Sequence, residues 1–316
     1  MDHSSANGIW PRLTVSYLDI IIFREVLLRH RVIEFLEVRY RSQPVYLKYY
    51  ADLWHAHLSA GLANKHFVTE LTSGSDAKFS QRVWEMVLAR HLMDSGHGIT
   101  SRPEGEPDFR FESGGRAIWV EAVSPEPGPD LSCDLPVSGS VVPHSERLLR
   151  WTSALAVKSG KGADYRRKMV VKPGDAYVIA IDGGQLGWHP LTHGASRVLP
   201  YVAEASLAMG PLAFRVNEDT GRFLGTVVTV RSAVLNHNNA SVPTAVFFDP
   251  SYSHVSAVIG CVPPKLAGSD LPVQVVYNPL ADVPLASGLF GNAAEEWTAK
   301  VVAKGADWQD WDIVRI

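Results

Sequence analysis

Polar and apolar residues alternate along two short stretches near the middle of the chain. In residues 107–111 acidic and basic side chains alternate with two phenylalanines, and in residues 118–123 Glu121 stands in an otherwise apolar alternating run. Residues 112–116 between them contain two glycines, which is typical of a hairpin connection. The pattern therefore predicts two adjacent strands that bring Asp108 and Glu121 side by side.

Helical periodicity dominates the sequence before this hairpin. Residues 17–40 and 45–62 are apolar at helical spacing, and residues 83–92 predict an amphipathic helix that ends before Gly96. We therefore expect residues 1–97 to form a mostly helical N-terminal region. Such a region could cap the core, form a homodimer interface or grip a substrate.

The sequence after the hairpin predicts an α/β core. A loop rich in proline, glycine and serine over residues 125–143 leads to a basic helix and then to an apolar strand at 177–182. Further strands are predicted at 226–230, 244–248, 255–261 and 273–277. We expect these strands to extend the core sheet, so that residues 98–316 form one α/β unit: a mixed sheet flanked by helices, with a strand-rich C-terminal part.

The order of elements, together with the position of the two acidic residues, resembles the PD-(D/E)XK nuclease superfamily, which has the restriction-endonuclease-like fold. The order is helix, a short strand near residues 98–101, the strand of Pro107 and Asp108, the strand of Glu121, a helix and a strand. The resemblance covers residues 80–185 and is one of arrangement. It implies metal-dependent hydrolysis of phosphodiester bonds, by an endonuclease acting on DNA.

The resemblance also implies a site for Mg²⁺ or Mn²⁺. Asp108 and Glu121 would be the side-chain ligands, and the main-chain carbonyl of Ala122 a further one. Hard oxygen ligands of this kind suit both cations. Glu85, on the helix before the hairpin, matches an acidic residue that many members carry there. The plainer alternatives are solvated carboxylates on an open sheet and a helix-surface glutamate.

One position departs from the superfamily pattern. The second residue after the glutamate is normally a catalytic lysine, and here it is Val123. Lys158 on the following helix is the favoured replacement, and Lys161 is a second candidate. Lys161 stands between Gly160 and Gly162, where we expect the helix to fray. Either lysine could instead be an ordinary surface residue.

The helix after the hairpin belongs to a strongly basic segment. Eight basic residues and one acidic residue lie between Arg147 and Lys172. A phosphate backbone would be attracted to such a segment, although a solvated helix face is the common alternative. The candidates for nucleic-acid contacts are Arg147, Arg150, Lys161, Arg166, Arg167 and Lys168.

Composition and charge limit the classes of protein and the cellular locations that fit this chain. The 316 residues carry a net charge of -3, which argues against indiscriminate coating of nucleic acid. The apolar run at residues 20–23 stops at Arg24, far short of a membrane span, and the first residues do not resemble a signal peptide. With Cys133 and Cys261 as the two cysteines, a disulfide framework is not expected, and a reducing cytoplasm is the simplest location.

Two hypotheses from different classes remain. The first is a Mg²⁺-dependent nuclease acting on DNA. The second is a nuclease-like domain without catalysis that serves as a binding or regulatory module, which Val123 in the lysine position motivates. A lysine within about 4–6 Å of the Asp108 and Glu121 carboxylates would favour the first.

Overall fold

The computed structural model of the protein describes residues 17–101, 103, 105–128, 131, 142–187, 193–261, 273–304 and 309–316. Within these residues the α-helices are α1 (Tyr17–Arg39), α2 (Pro44–Ser59), α3 (Lys65–Leu71), α4 (Asp76–Asp94), α5 (His144–Arg167) and α6 (Tyr201–Glu204). The strands are β1 (Thr100–Ser101), β2 (Phe109–Ser113), β3 (Arg116–Val123), β4 (Ala176–Asp182), β5 (Met209–Val216), β6 (Phe223–Val230), β7 (Ala233–Leu235), β8 (Ser241–Pro243), β9 (Ala257–Cys261), β10 (Gln274–Tyr277), β11 (Glu295–Lys304) and β12 (Gln309–Arg315). Cys133, the first residues of the chain and most of the loop predicted at 125–143 lie outside the described residues.

The centre of the fold is a mixed sheet with the strand order β1-β2-β3-β4-β9-β10-β11-β12. The pairs β3–β4, β4–β9 and β10–β11 are parallel, and the other neighbouring pairs are antiparallel. Helix α5 connects β3 to β4, as a crossover between parallel neighbours requires. The structure confirms the expected α/β class, with a mixed sheet and helices.

Strand β4 is buried on both faces and is accordingly apolar up to its last residue. Tyr177 and Ile179 belong to the core cluster on the α5 side, while Val178 and Ala180 belong to the cluster on the α4 side. On the α4 side, Trp84 Nε1 donates a 3.1 Å hydrogen bond to the Ala180 carbonyl, which fixes this helix against the sheet.

The helices before the sheet share a core of their own. Val32 of α1, Trp54 of α2, Phe67 of α3 and Phe79 of α4 meet in one buried cluster. Helix α4 packs on this cluster and on the sheet, so it joins the predicted N-terminal helical region to the α/β core. No helix among the described residues carries an apolar stretch long enough to span a membrane.

Several strand predictions need correction. Residues 244–248 do not form a strand; Val246 and Phe247 are buried in a short 3-10 turn at Val246–Phe248. Strand β6 exists but pairs with β5 outside the main sheet, and β7 pairs with β8 in another small sheet. The sheet edge formed by β11 and β12 was not predicted. Asp108 lies one residue before β2 rather than within it.

Candidate active site

The hairpin of β2 and β3 places the two predicted acidic residues next to each other. Phe109 is paired with Val120 in antiparallel register, so the next positions along the two chains are Asp108 and Glu121. Asp108 Oδ2 accepts a 2.7 Å hydrogen bond from the main-chain N–H of Ala122. This bond holds the Asp108 carboxylate at the end of β3, beside Glu121.

Three side chains of α5 contact Glu121, whose side chain is 2 % exposed. Lys158 Nζ lies 2.6 Å and Lys161 Nζ 2.9 Å from Glu121 Oε1, and the Tyr165 hydroxyl donates to Oε2 at 3.2 Å. Residues 158, 161 and 165 have the spacing of one helix face, so a single face of α5 supplies all three. Two lysines therefore meet the carboxylate of β3, although the strand itself carries Val123 in the position where the resemblance expects a lysine.

Helix α5 does not fray at its glycines, contrary to the expectation for Lys161. The helix continues to Arg167, and Gly162 is the point where the Tyr177 ring of β4 approaches it. A Cβ at Gly162 would lie 2.4 Å from Tyr177 Cε1, so a larger residue would push the helix from the sheet. The Tyr177 hydroxyl also donates to the Lys158 carbonyl at 2.9 Å. These contacts fix the position of the lysines over Glu121.

Glu85 of α4 is also buried, but its two oxygens are already bonded. Arg82 Nη1 lies 2.6 Å from Oε2, and Gln81 Nε2 donates to Oε1 at 2.9 Å. Gln81 also accepts from the Ser124 N–H at 2.8 Å and lies 3.4 Å from the Ala122 carbonyl oxygen. Glu85 is therefore held by its own helix, and Gln81 ties that helix to the end of β3.

The acidic groups repel one another. Burial, together with the nearby Glu85 and Glu121 carboxylates, raises the pKa of Asp108 to about 8. Burial raises the pKa of Glu85 as well, despite the adjacent Arg82 guanidinium. Burial alone would lower the pKa of Lys161, but Glu121 raises it. The site thus combines positively charged side chains on α5 with a buried carboxyl group, that of Asp108, whose negative charge is only partly compensated by its neighbours.

The donor set fits a hard cation. Among the described residues, no three His, Cys, Asp or Glu side chains are gathered so that they could hold a metal ion by themselves. The predicted set does not need three side chains, because it combines the carboxylates of Asp108 and Glu121 with the main-chain carbonyl of Ala122. A cation there would relieve the repulsion that raises the pKa of Asp108. The oxygens of Glu85 are bonded to Arg82 and Gln81, and those of Glu121 to Lys158, Lys161 and Tyr165, so a cation at either carboxylate would have to exchange these contacts.

The structure divides the predicted basic surface into separate parts. Arg147 is 3 % exposed and lies in the interior, so it does not belong to any surface. Arg150 lies against Gly128, and Arg166 donates to the main-chain carbonyls of Asp175 and His254. Arg167 is exposed and pairs with Asp164 at 2.8 Å. Of the six predicted residues, Lys161 and Lys168 line the cleft above the carboxylates.

This cleft has a volume of about 690 Å³. Its floor contains Glu85, Asp108 and Glu121. Its walls include the start of α3, at residues 64–67, and α5, at residues 161–168, and residues 101, 103, 105 and 106 also line it. The α3 side, Gln81 and Tyr165 were not predicted as part of the site. Spacing could have indicated two of them, because Tyr165 is four residues after Lys161 and Gln81 four before Glu85.

Comparison of the chain with protein-family models, with curated proteins and with solved structures finds no match in any of the three.

Proposed function

We propose that the protein is a metal-dependent nuclease that hydrolyses phosphodiester bonds in DNA, with a sheet of the restriction-endonuclease-like type. One observation carries the proposal: Lys158 and Lys161 contact Glu121 at the point where Asp108 adjoins the same strand. This arrangement supplies from a helix the lysine that the strand lacks at Val123. A cytoplasmic location is part of the proposal.

Asp108, Glu121 and the Ala122 carbonyl are the groups that would hold Mg²⁺ or Mn²⁺. Such an ion, when bound, neutralises phosphoryl charge and makes water nucleophilic at neutral pH. The buried position of Glu121 and the hydrogen bond from Ala122 to Asp108 hold the two carboxylates in place before any substrate arrives.

The lysines have a different role. Lys158 is the less exposed of the two, with 14 % of its side chain accessible against 51 % for Lys161. A partly buried ammonium group interacts more strongly with a developing negative charge than an exposed one does. In the proposed reaction Lys158 stabilises the charge on the phosphoryl oxygens, and Lys161 binds the phosphate at the entrance of the cleft.

The test is a cleavage assay with plasmid and single-stranded DNA, in Mg²⁺, in Mn²⁺ and in EDTA. Asp108→Asn preserves the side-chain shape and removes the charge, so it should lower the cleavage rate by about 10³-fold or more. Glu112→Gln is the matched control, because Glu112 is an exposed acid of the same hairpin that pairs with Arg110.

Metal-dependent cleavage that is lost in Asp108→Asn and kept in Glu112→Gln is the expected result. Equal cleavage by wild type and Asp108→Asn would rule out the assignment of the active site. A wild-type protein that binds DNA without cutting it in either metal would instead be the inactive binding module.

A further inference from the structure

We infer that the cleft accepts a single DNA strand and excludes an intact duplex. The inference deepens the proposed function and rests on it for the identity of the substrate. It concerns which form of DNA reaches Asp108 and Glu121.

The shape of the cleft is the first reason. The carboxylates line the cleft together with its walls on α3 and α5, and the cleft, which is open to solvent, has a volume of about 690 Å³. Sites of about 300–1,000 Å³ accommodate groups of the size of a small ligand. A duplex is much wider, since its major groove alone measures about 12 Å across. A single strand can lie between such walls with its backbone against the floor.

The second reason is that α5, the basic helix beside the site, offers few accessible cations. A protein that grips a duplex commonly makes about 6–10 phosphate contacts. Here Arg147 is buried, Arg166 is bonded to main-chain carbonyls and Arg167 is paired with Asp164. The basic helix therefore does not present the broad positive surface that its composition indicated.

The remaining cations are placed on the two walls. Lys65 of α3 and Lys168 at the end of α5 line the cleft, and both are exposed. Within the described residues no ion pair involves either of them, so a phosphate would not have to displace an acidic partner. One lysine on each wall is an arrangement that contacts a strand lying between them.

One exposed aromatic ring, on α3, fits a base of such a strand. His66 is exposed beside Lys65 and lines the cleft, whereas Tyr165 is buried and bonded to Glu121. Proteins that bind single strands combine a positive groove with aromatic rings on which bases stack, and stacking contributes about 1–3 kcal/mol per base. The Lys65 and Lys168 ammonium groups and the His66 ring are the contacts proposed for the strand.

The experiment measures binding rather than cleavage. Asp108→Asn protein is titrated in Mg²⁺ against a fluorescein-labelled 15-nucleotide strand and against the duplex of the same sequence, with fluorescence anisotropy as the readout. We expect the single strand to bind at least ten-fold more tightly. Lys65→Gln and Lys168→Gln, each in the Asp108→Asn background, should weaken strand binding several-fold and reduce the slope of log K against log salt by about 0.7 each.

Lys300→Gln is the matched control. Lys300 is an exposed lysine of β11 that does not line the cleft, so its loss should leave affinity and salt slope unchanged. The inference is overturned if the duplex binds as tightly as the strand, if neither binds, or if the two cleft variants behave like Lys300→Gln. Failure of the proposed catalysis is a separate result, because it is read from the cleavage assay with wild-type protein.

Discussion

Two buried glutamates of this molecule face cations, and their surroundings differ in kind. Glu121 is 2 % exposed and Glu204, on α6, is 0 % exposed. Glu121 contacts Lys158 and Lys161, and Glu204 contacts Arg231 at 3.0 Å. Burial and an adjacent cation are therefore common to both carboxylates.

Glu204 is held by the main chain. The N–H groups of Ser196 and Ala195 donate to its oxygens at 2.7 and 3.2 Å, in addition to Arg231. A Cβ at Gly194 would lie 2.5 Å from the Glu204 carboxyl carbon, so the loop closes around the group. This carboxylate fixes the loop before α6 and leaves no space for a ligand.

Glu121 is held by side chains, and it opens to the cleft. Its partners are two lysines and a tyrosine of one helix, and side chains of this kind can rotate without unfolding the helix. A cation or a phosphate can therefore enter by exchanging contacts with the lysines. A buried charge compensated by the main chain stabilises the architecture. A buried charge compensated by side chains can instead exchange those contacts for a ligand.

The two glutamates should differ most in their contribution to the free energy of unfolding. Glu204→Gln removes the charge that two main-chain N–H groups and Arg231 compensate, so it should lower the free energy of unfolding by about 3 kcal/mol. Glu121→Gln should cost less than about 1.5 kcal/mol, because the lysines can turn to solvent and the repulsion with Asp108 is relieved. Urea denaturation of both variants measures the difference.

Equal losses in the two variants would contradict the distinction between main-chain and side-chain compensation. The cleavage assay tests the same distinction through activity instead of stability. Glu204→Gln that remains folded should cleave at the wild-type rate, whereas Glu121→Gln should be inactive although it is nearly as stable as the wild type.

A smaller effect separates the two lysines at Glu121. Lys158→Met should reduce the cleavage rate by about 10²-fold, a loss typical of removing one group that stabilises transition-state charge in a desolvated site. Lys161→Met should reduce it by about ten-fold or less, because Lys161 is more exposed and solvent weakens its interaction. Rates at saturating DNA measure both.

The two variants are matched controls for each other, since each removes one ammonium group from the same oxygen of Glu121. A greater loss with Lys161→Met would exchange the proposed roles. An unchanged rate in both variants would leave the site without a catalytic lysine and support the binding module.

The part of the site that lies on the hairpin could be predicted because its signals are local. Alternation in residues 107–111 and 118–123 indicates which side chains share a face. The hairpin turn between the two strands then brings Asp108 next to Glu121. The position of Lys158 follows from helical spacing once α5 is known to connect parallel neighbours β3 and β4. Whether these residues act as a nuclease site stays a prediction.

The remaining parts depend on contacts that are distant in sequence. Nothing local indicates that α3 and α5 line the same cleft, or that Arg147 is buried while Lys168 is exposed. A count of charges along the helix therefore overestimates the basic surface. Strands β11 and β12 were missed because charged residues interrupt their apolar alternation, and residues 244–248 were assigned to a strand because burial in a turn also selects apolar side chains.

A pH dependence of stability is also expected, and it originates at Asp108. Its pKa is raised to about 8 in the folded protein, chiefly by burial and then by Glu85 and Glu121, whereas an aspartate in an unfolded chain has a pKa of about 3.9. Between these values the folded state binds more protons than the unfolded state, so the stabilising contribution is complete below about pH 4 and is lost as the pH rises through about 8. The free energy of unfolding of the wild type, relative to Asp108→Asn, should therefore fall from pH 5 to pH 8, by at most about 1.4 kcal/mol per pH unit.

Magnesium extends this test, because under the proposed function a cation held by Asp108 and Glu121 would replace the proton. In saturating Mg²⁺ the decline should flatten or reverse for the wild type, since metal binding to a deprotonated carboxylate stabilises the folded state more as the pH rises. Asp108→Asn should show neither the decline nor the magnesium effect. Urea denaturation at pH 5, 6, 7 and 8, with and without Mg²⁺, gives all four curves. Parallel curves for the two proteins would show that Asp108 is ionised in the metal-free protein, so that α5 alone compensates the charge of the cluster.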